Sequence, residues 1–353
     1  MWCRNSLKIH NIRGIPILFN CLQCLPNSGI NNVILRHSVR RLFTSNAHEC
    51  TIGDMIDQWS NRFKNEGISE PVESIEFIMA HIIGVKKISD IVNVRNNRLN
   101  EGQKEKLISL CECRLLRMPI QYIIGEWDFR DITLKLVPPI FIPRPETEIL
   151  VDFVLKRLNA LQANSYEILE IGCGSGAISL ALTHASKKVK CTAIDMNLHA
   201  CNLTITNRNK LDLTDQITVM HAVLKPDATI EVLSMLNGNN DIDINSKQFD
   251  FVVSNPPYVS TKIIPTLQTE IKIYEDLRAL DGGDDGLKVI KPLLKYTAKV
   301  LKPGGSLFLE VDPAHPEYIQ FFTTKYSDLK LCHEHTYKDF CNNDRFVEVV
   351  KLP

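Results

Sequence analysis

Between Thr51 and Met118 the apolar residues recur at steps of three and four: Ile52, Met55, Ile56, Trp59 and Phe63, then Val72, Ile75, Ile78, Met79 and Ile82, then Leu107, Leu110, Leu115 and Met118. That is the period of helices that each turn one face to a core. Asn100 is placed to cap the third of them. Pro119 breaks the pattern, and from Ile120 to Phe141 the apolar residues (Tyr122, Ile124, Trp127, Phe129) alternate among good strand formers, which predicts a β-hairpin. After Pro145 the rhythm changes again. Helices are expected over 145–161, 176–186, 197–209, 285–301 and 314–324, and strands over 166–171, 189–194, 217–221, 249–254, 306–311, 328–335 and 344–351. Strands alternating with helices imply a doubly wound α/β domain with a parallel sheet of seven strands. The last two strands have no helix between them, so they should pair antiparallel. The stretch 223–248 contains Asn237-Gly-Asn-Asn-Asp241 and reads as a long solvent loop. The expected organisation is a helical domain at 50–118, a hairpin linker at 119–144 and an α/β domain at 145–353.

Charge changes the reading of the first 48 residues. They hold Arg4, Lys8, Arg13, Arg36, Arg40 and Arg41 and no acid, the composition of a mitochondrial transit peptide, so a mitochondrial matrix location is expected. The apolar run Ile15–Leu25 is interrupted by Pro16, Asn20 and Gln23 and is too short to span a bilayer, and no membrane partner is expected. Residues 49–353 carry 35 basic and 41 acidic side chains, a net of −6 that lacks the basic field of a general nucleic-acid binder. Of the eleven cysteines, Cys21 and Cys24 form a single CxxC without a second pair, which does not make a metal site; most of the others read as free buried thiols.

The run Glu170-Ile-Gly-Cys-Gly-Ser-Gly176 closes the first strand of the α/β domain and opens a helix. Its glycines permit a tight turn and close backbone approach to a ligand. No Lys-Ser/Thr pair follows, as a phosphate loop would require, and the acid at Glu170 favours a cationic sulfonium over a pyrophosphate. The next strand ends at Asp195, 19 residues after Gly176, where a carboxylate can accept hydrogen bonds from both hydroxyls of a ribose. Asp195 could equally cap the helix that follows. Together these features resemble class I methyltransferases, a Rossmann-like fold that uses S-adenosyl-L-methionine.

Phe251-Val-Val-Ser-Asn-Pro-Pro-Tyr258 is the most informative run. A buried strand delivers Asn255 to its carboxyl end, the place where open α/β sheets bind ligands. Two prolines fix φ, and the residue before a proline is driven out of helical conformation. The product is a rigid bracket that carries one amide side chain, the carbonyl of Pro256 and the ring of Tyr258. A planar nitrogen bearing two hydrogens could donate one to Asn255 and the other to that carbonyl. An amide nitrogen is a poor nucleophile, so orientation would supply much of its reactivity, up to ~7–11 kcal/mol of the barrier.

An NPPY run after such a loop is shared by adenine-N6 nucleic-acid methyltransferases and the HemK/PrmC protein-glutamine methyltransferases. The chain resembles the second group in Phe141-Ile-Pro-Arg-Pro-Glu-Thr-Glu148, in Tyr274-Glu-Asp-Leu-Arg-Ala-Leu-Asp-Gly-Gly283 with Asp285-Gly-Leu287, in Leu301-Lys-Pro-Gly-Gly305, in Leu309-Glu-Val311, and in Asp339-Phe-Cys341 with Arg345-Phe346. The helical domain and hairpin suit that family too. The resemblance covers residues 50–351 and is closest to the family's mitochondrial member. It implies N5-methylation of the glutamine in the GGQ loop of a class 1 peptide chain release factor by a monomeric enzyme that supports translation termination, with no direct nucleic-acid contact. It also implies that Gly172, Cys173, Gly174, Ser175 and Gly176 hold the methionine part of the cofactor and Asp195 its ribose. Asn255 stands between cofactor and substrate, and Pro256, Pro257 and Tyr258 grip the glutamine with it. Arg144 and Glu146 read as an ion pair or latch. The chain departs from the family after the third strand. Where an acid and a large apolar residue usually flank the adenine, Ala222 and Val223 stand here. The expected cost in cofactor affinity is ~1–3 kcal/mol, the scale of one unmade hydrogen bond, unless Asp227 or a backbone carbonyl substitutes.

Overall fold

A computed structural model describes residues 50–85, 87–161, 163–234, 236 and 243–353. Residues 1–48, expected above to be a transit peptide, lie outside the described residues, as does Asn237–Asp241. The chain falls into two compact units that divide after Leu116.

In the first unit, helices α1 (Ile52–Asn65), α2 (Pro71–Ile83) and α3 (Glu101–Leu115) are joined by short turns, including a 3-10 stretch over Ile88–Val94. Thr51 opens α1 and Asn100 opens α3, each with a reciprocal capping box that satisfies two orphan amide donors. Ile52, Met55, Ile56, Trp59 and Phe63 of α1 are buried, as are Ile75, Ile78 and Met79 of α2 and Leu107, Leu110 and Cys111 of α3. Val72 alone of the α2 series is exposed.

The second unit begins with a difference from the sequence reading. Ile120–Ile124 is a short helix, α4, and not the first half of a hairpin. The hydroxyl of Tyr122 donates to the Ile140 carbonyl at 2.6 Å, and Gly125, at φ +81°, ends the turn. Only Glu126–Phe129 (β1) and Ile132–Lys135 (β2) form the hairpin. Helix α5 (Pro145–Leu161) then leads into the main sheet. Its strands are β3 (Tyr166–Ile171), β4 (Val189–Asp195), β5 (Ile217–Leu224), β6 (Ile230–Ser234), β7 (Phe249–Ser254), β8 (Leu301–Glu310), β9 (Leu331–Lys338) and β10 (Asp344–Lys351). Between them lie α6 (Ala177–Ala185), α7 (Leu198–Lys210), α8 (Thr269–Tyr274), α9 (Ile290–Val300) and α10 (His315–Lys325).

The sheet runs β6-β5-β4-β3-β7-β8-β10-β9, eight strands where seven were expected. The central strands β3 and β7 are almost wholly buried, as parallel strands covered on both faces must be. The chain lays β4 and β5 to one side of β3 and places β7 on the other, so the carboxyl ends of β3 and β7 flank a topological switch point. The last strand is antiparallel, as read, and is inserted between β8 and β9. The additional strand, β6, replaces part of the expected loop. Residues 225–229 make a turn closed by the Lys225 amide donating to the Thr229 carbonyl, and β6 returns antiparallel to β5 with Ile230 buried.

Candidate active site

A cavity opens at the switch point. Its wall includes Gly172 to Ser175 from the glycine loop, Asp195 and Asn197 after β4, Ala222, Val223 and Leu224 of β5, and Asn255 to Pro257 after β7. Phe141, Thr147, Glu170, Asp276 and Arg278 also line it. Tyr258, expected against the substrate, is not on this wall; its hydroxyl turns inward, as described below.

The glycine loop is held by backbone geometry. The amides of Gly172 and Cys173 both donate to the Ile194 carbonyl, at 2.9 and 3.0 Å, tying the loop to β4. Gly176 sits at φ +84°, and a Cβ there would come within 2.8 Å of Leu180 and 2.9 Å of Thr204, so only glycine fits. Asn207 of α7 adds a three-way clamp. Its Oδ1 accepts from the Lys135 amide at 2.8 Å, and its Nδ2 donates to the carbonyls of Lys135 at 3.1 Å and of Ser175 at 2.9 Å. The side chain of Thr204 donates to the Gly174 carbonyl at 3.1 Å.

Asp195 does not cap the following helix; Asn197 does, accepting from the His199 amide. The half-buried Asp195 carboxylate accepts from the amides of Gly174 (2.9 Å) and Asn197 (2.8 Å). Burial raises its pKa, and these two amides hold the rise back. One oxygen is thus anchored to each side of the cavity, with lone pairs left over. Asp227 is spent in its own turn, accepting from both the amide and hydroxyl of Thr229, and is not on the wall. Asp276 is: it accepts from Asn197 Nδ2 at 3.0 Å and is gripped by Arg278.

The wall carries the carboxyl groups of Asp195 and Asp276 against one guanidinium, Arg278, which is already paired with Asp276. Such a lining repels phosphate and suits a cation, so the residues present fit a sulfonium cofactor. Glu170 is buried and accepts from the Ser179 amide at 3.1 Å; burial pushes its carboxyl pKa up to about 8, from an ordinary 4.5. The folded state therefore holds a proton that the unfolded chain releases, and stability falls as pH rises between those values. Thermal melts are expected to show a larger loss of Tm from pH 5 to pH 8 in the ligand-free wild type than in Glu170→Gln. Parallel curves would show that Glu170 is not the group responsible.

The NPPY bracket is fixed from three sides. Ser254 donates to the Ile171 carbonyl at 2.6 Å and locks the end of β7 to β3. A loop at 281–287 braces the far side: the Val259 amide donates to Leu280, the Gly282 amide to Val259 and the Thr261 amide to Gly283. Gly286, at φ +72°, packs so closely that a Cβ would stand 2.4 Å from the Tyr258 carbonyl. On the third side the sheet register sets Ser254 beside Leu309, so the next residues, Asn255 and Glu310, are neighbours. Asn255 Nδ2 donates to Thr147 Oγ1 at 3.2 Å, Thr147 Oγ1 donates to Glu310 Oε2 at 2.7 Å, and the Tyr258 hydroxyl donates to Glu310 Oε1 at 3.1 Å. Burial raises the Glu310 pKa, opposed by these hydroxyls and by Arg345. Burial, then the Glu310 charge, push the Tyr258 phenol far up, so it stays a donor. Asn255 itself is half-buried on the cavity wall.

Arg144 pairs with the buried Glu275 at 2.7 Å rather than with Glu146, joining the segment before α5 to the one after α8. The sequence reading had not assigned roles to Thr147, Glu310, Asp276 or Arg278. Glu310 did leave a trace: an acid ending the otherwise apolar run Leu307-Phe-Leu, next to the NPPY strand, must have a buried partner.

Family profiles match this chain to the PrmC N-terminal domain over residues 54–125 and to the methyltransferase small domain over residues 147–274. The human MTRF1L release factor glutamine methyltransferase is 39% identical over 84% of this chain and 86% of its own length. The release factor glutamine methyltransferase of Caulobacter vibrioides is 32% identical over 85% of this chain and 97% of its own. That of Thermodesulfovibrio yellowstonii is 32% identical over 76% and 87%. With the glycine loop, the Asp195 carboxylate and the NPPY bracket converging on one cavity, this chain belongs to the release factor glutamine methyltransferase family and is an S-adenosyl-L-methionine-dependent methyltransferase.

Proposed function

We propose that the protein methylates the side-chain nitrogen of the glutamine in the GGQ loop of a mitochondrial class 1 peptide chain release factor, acting as a monomer in the mitochondrial matrix. The observation that carries this reading is Asn255, presented on the cavity wall at the end of the strand beside the glycine loop.

In this reading Gly172, Cys173, Gly174, Ser175 and Gly176 hold the methionine part of the cofactor, Asp195 its ribose and Val223 its adenine. When bound, S-adenosyl-L-methionine supplies a methyl carbon on a cationic sulfur, and its C–S bond breaks as the C–N bond forms. The Asn255 Oδ1 and the Pro256 carbonyl each accept one N–H of the glutamine amide. Held at both hydrogens, the nitrogen cannot rotate, and its face is turned to the methyl carbon. Once methylated, the nitrogen would keep one hydrogen and pass the other as a proton to solvent water, balancing the positive charge lost by the sulfonium. Pro257 and Tyr258 fix the bracket, the first on the cavity wall and the second from behind. The helical unit serves to contact the release factor away from the reacting loop. The acid-free residues 1–48 support import into mitochondria, and among the described residues no helix is long and apolar enough to cross a membrane.

Mass spectrometry tests the reading. Recombinant mitochondrial release factor incubated with the protein and cofactor is expected to gain one methyl group on the glutamine of the GGQ peptide. Transfer of labelled methyl groups to DNA or RNA with an unmodified release factor would instead establish adenine methylation.

A further inference from the structure

We propose that Thr147 and Glu310 are positioning residues that set the sense of the Asn255 amide, so that Oδ1 and not Nδ2 meets the substrate nitrogen. The inference deepens the function proposed above and rests on it.

An asparagine amide is nearly symmetric in shape, and the two orientations of Asn255 fill the same space. They are opposite in chemistry. Oδ1 toward the cavity accepts an N–H from the glutamine; Nδ2 toward the cavity sets donor against donor and leaves the substrate nitrogen unheld. Something must select between them, and the hydrogen-bond chain behind Asn255 does so. A carboxylate accepts only. Both hydroxyls that touch Glu310, Thr147 at 2.7 Å and Tyr258 at 3.1 Å, donate to it, and these bonds with the nearby Arg345 favour its carboxylate form against burial. Thr147 has a single hydrogen and has spent it, so toward Asn255 it can only accept. Only Nδ2 can satisfy it, at 3.2 Å. The polarity runs one way, from amide to hydroxyl to carboxylate, and the free end of the amide is an acceptor.

The geometry behind the relay is rigid. Glu310 is 2% exposed and Thr147 3% exposed, so no bulk water can replace either partner. Glu310 is aligned with Asn255 by the parallel pairing of β7 and β8, and Thr147 is carried on the first turn of α5. The threonine of the Arg-Pro-Glu-Thr-Glu signature and the acid of Leu-Glu-Val, 163 residues apart, thus act on one side chain.

The test is a set of three variants assayed on the release-factor domain, with cofactor Kd measured separately by calorimetry. Thr147→Val keeps the shape and removes the acceptor; kcat is expected to fall by about 10²-fold, the cost of misplacing a reacting group. Cofactor Kd should stay within about threefold of the wild type, since valine keeps the shape that Thr147 gives the cavity wall. Thr147→Ser keeps the hydroxyl and should restore kcat to within about threefold. Glu310→Gln offers a donor as well as an acceptor, frees Thr147 to donate, and should lower kcat by more than tenfold. If Thr147→Val keeps kcat within tenfold, or if its cofactor affinity falls in proportion to kcat, the proposal is overturned. An NMR spectrum with ¹⁵N-labelled asparagine reads the same relay without turnover. Slow hydrogen exchange of the Asn255 side-chain NH2 is expected in the wild type and fast exchange in Thr147→Val; equal exchange in the two overturns the relay. Should the wild type itself leave the release factor unmethylated, the proposed function fails, and this spectrum still decides the relay.

Discussion

Replacing Asn255 with alanine is expected to lower kcat on the release-factor domain by about 10³-fold, with less than about tenfold loss of cofactor affinity. The size of the effect follows from what the side chain does. It is the one amide on the cavity wall after β7, and its Oδ1 is the end left free by the bond to Thr147. A carboxamide nitrogen has a delocalised lone pair, so the uncatalysed reaction is slow and orientation must supply much of the gain. Losing one preorganised polar group at a reacting centre typically costs 10²–10³-fold; here the deletion also removes the donor from which Thr147 Oγ1 accepts, leaving only its bond to Glu310. Single-turnover kinetics with saturating cofactor, set beside calorimetric binding, separates the two quantities. Equal losses in both would make Asn255 a wall residue of the cofactor pocket and no more.

The second large effect is expected from Gly286→Ala. At φ +72° any side chain is strained, and the added carbon would stand 2.4 Å from the Tyr258 carbonyl and 2.7 Å from the His315 ring. The carbonyl belongs to the backbone of the NPPY bracket, so the clash is relieved only by moving the bracket or the loop that braces it. A destabilisation of ~3 kcal/mol is expected from strain and overlap together. Even below its Tm the variant should turn over about 10²-fold more slowly, because a displacement approaching 1 Å at the bracket misplaces the reacting nitrogen. Circular dichroism melts and steady-state rates at low temperature check the two parts. A variant that is less stable yet fully active would show that the brace supports folding without setting the geometry of Asn255.

The two substitutions also mark what a linear chain reveals. The β3–α6–β4 core was legible to within a residue because every cue is local: an apolar run, three glycines, a helix, a second apolar run ending in Asp195. Asn255 was legible for the same reason, since two prolines fix their own neighbourhood. Helix α4 was not, because a stretch of five residues with one polar member, Gln121, satisfies either period and the choice is made by Tyr122 reaching the carbonyl of Ile140, 18 residues on. Strand β6 was hidden too. It offers two inward apolar residues, Ile230 and Val232, in a region rich in Asn and Asp, and it is a strand because β5 has an open edge to fill. Glu310 and Thr147 meet through sheet register, which no local pattern encodes. The same holds for Tyr258: the chain places it beside Asn255, and only the buried carboxylate turns its hydroxyl inward.

The clamp at Asn207 has a mechanical consequence. A single side-chain amide is bonded both ways to Lys135 at the end of the β1–β2 hairpin and once to the Ser175 carbonyl in the glycine loop. The two segments are therefore tethered through one group with no slack. Tension on the hairpin reaches the loop carbonyl through a rigid planar linker. Ordering of the loop and ordering of the hairpin are therefore expected to favour one another through this one group. The glycine loop of the cavity and an outlying ribbon are thus joined at an asparagine that is itself not on the cavity wall.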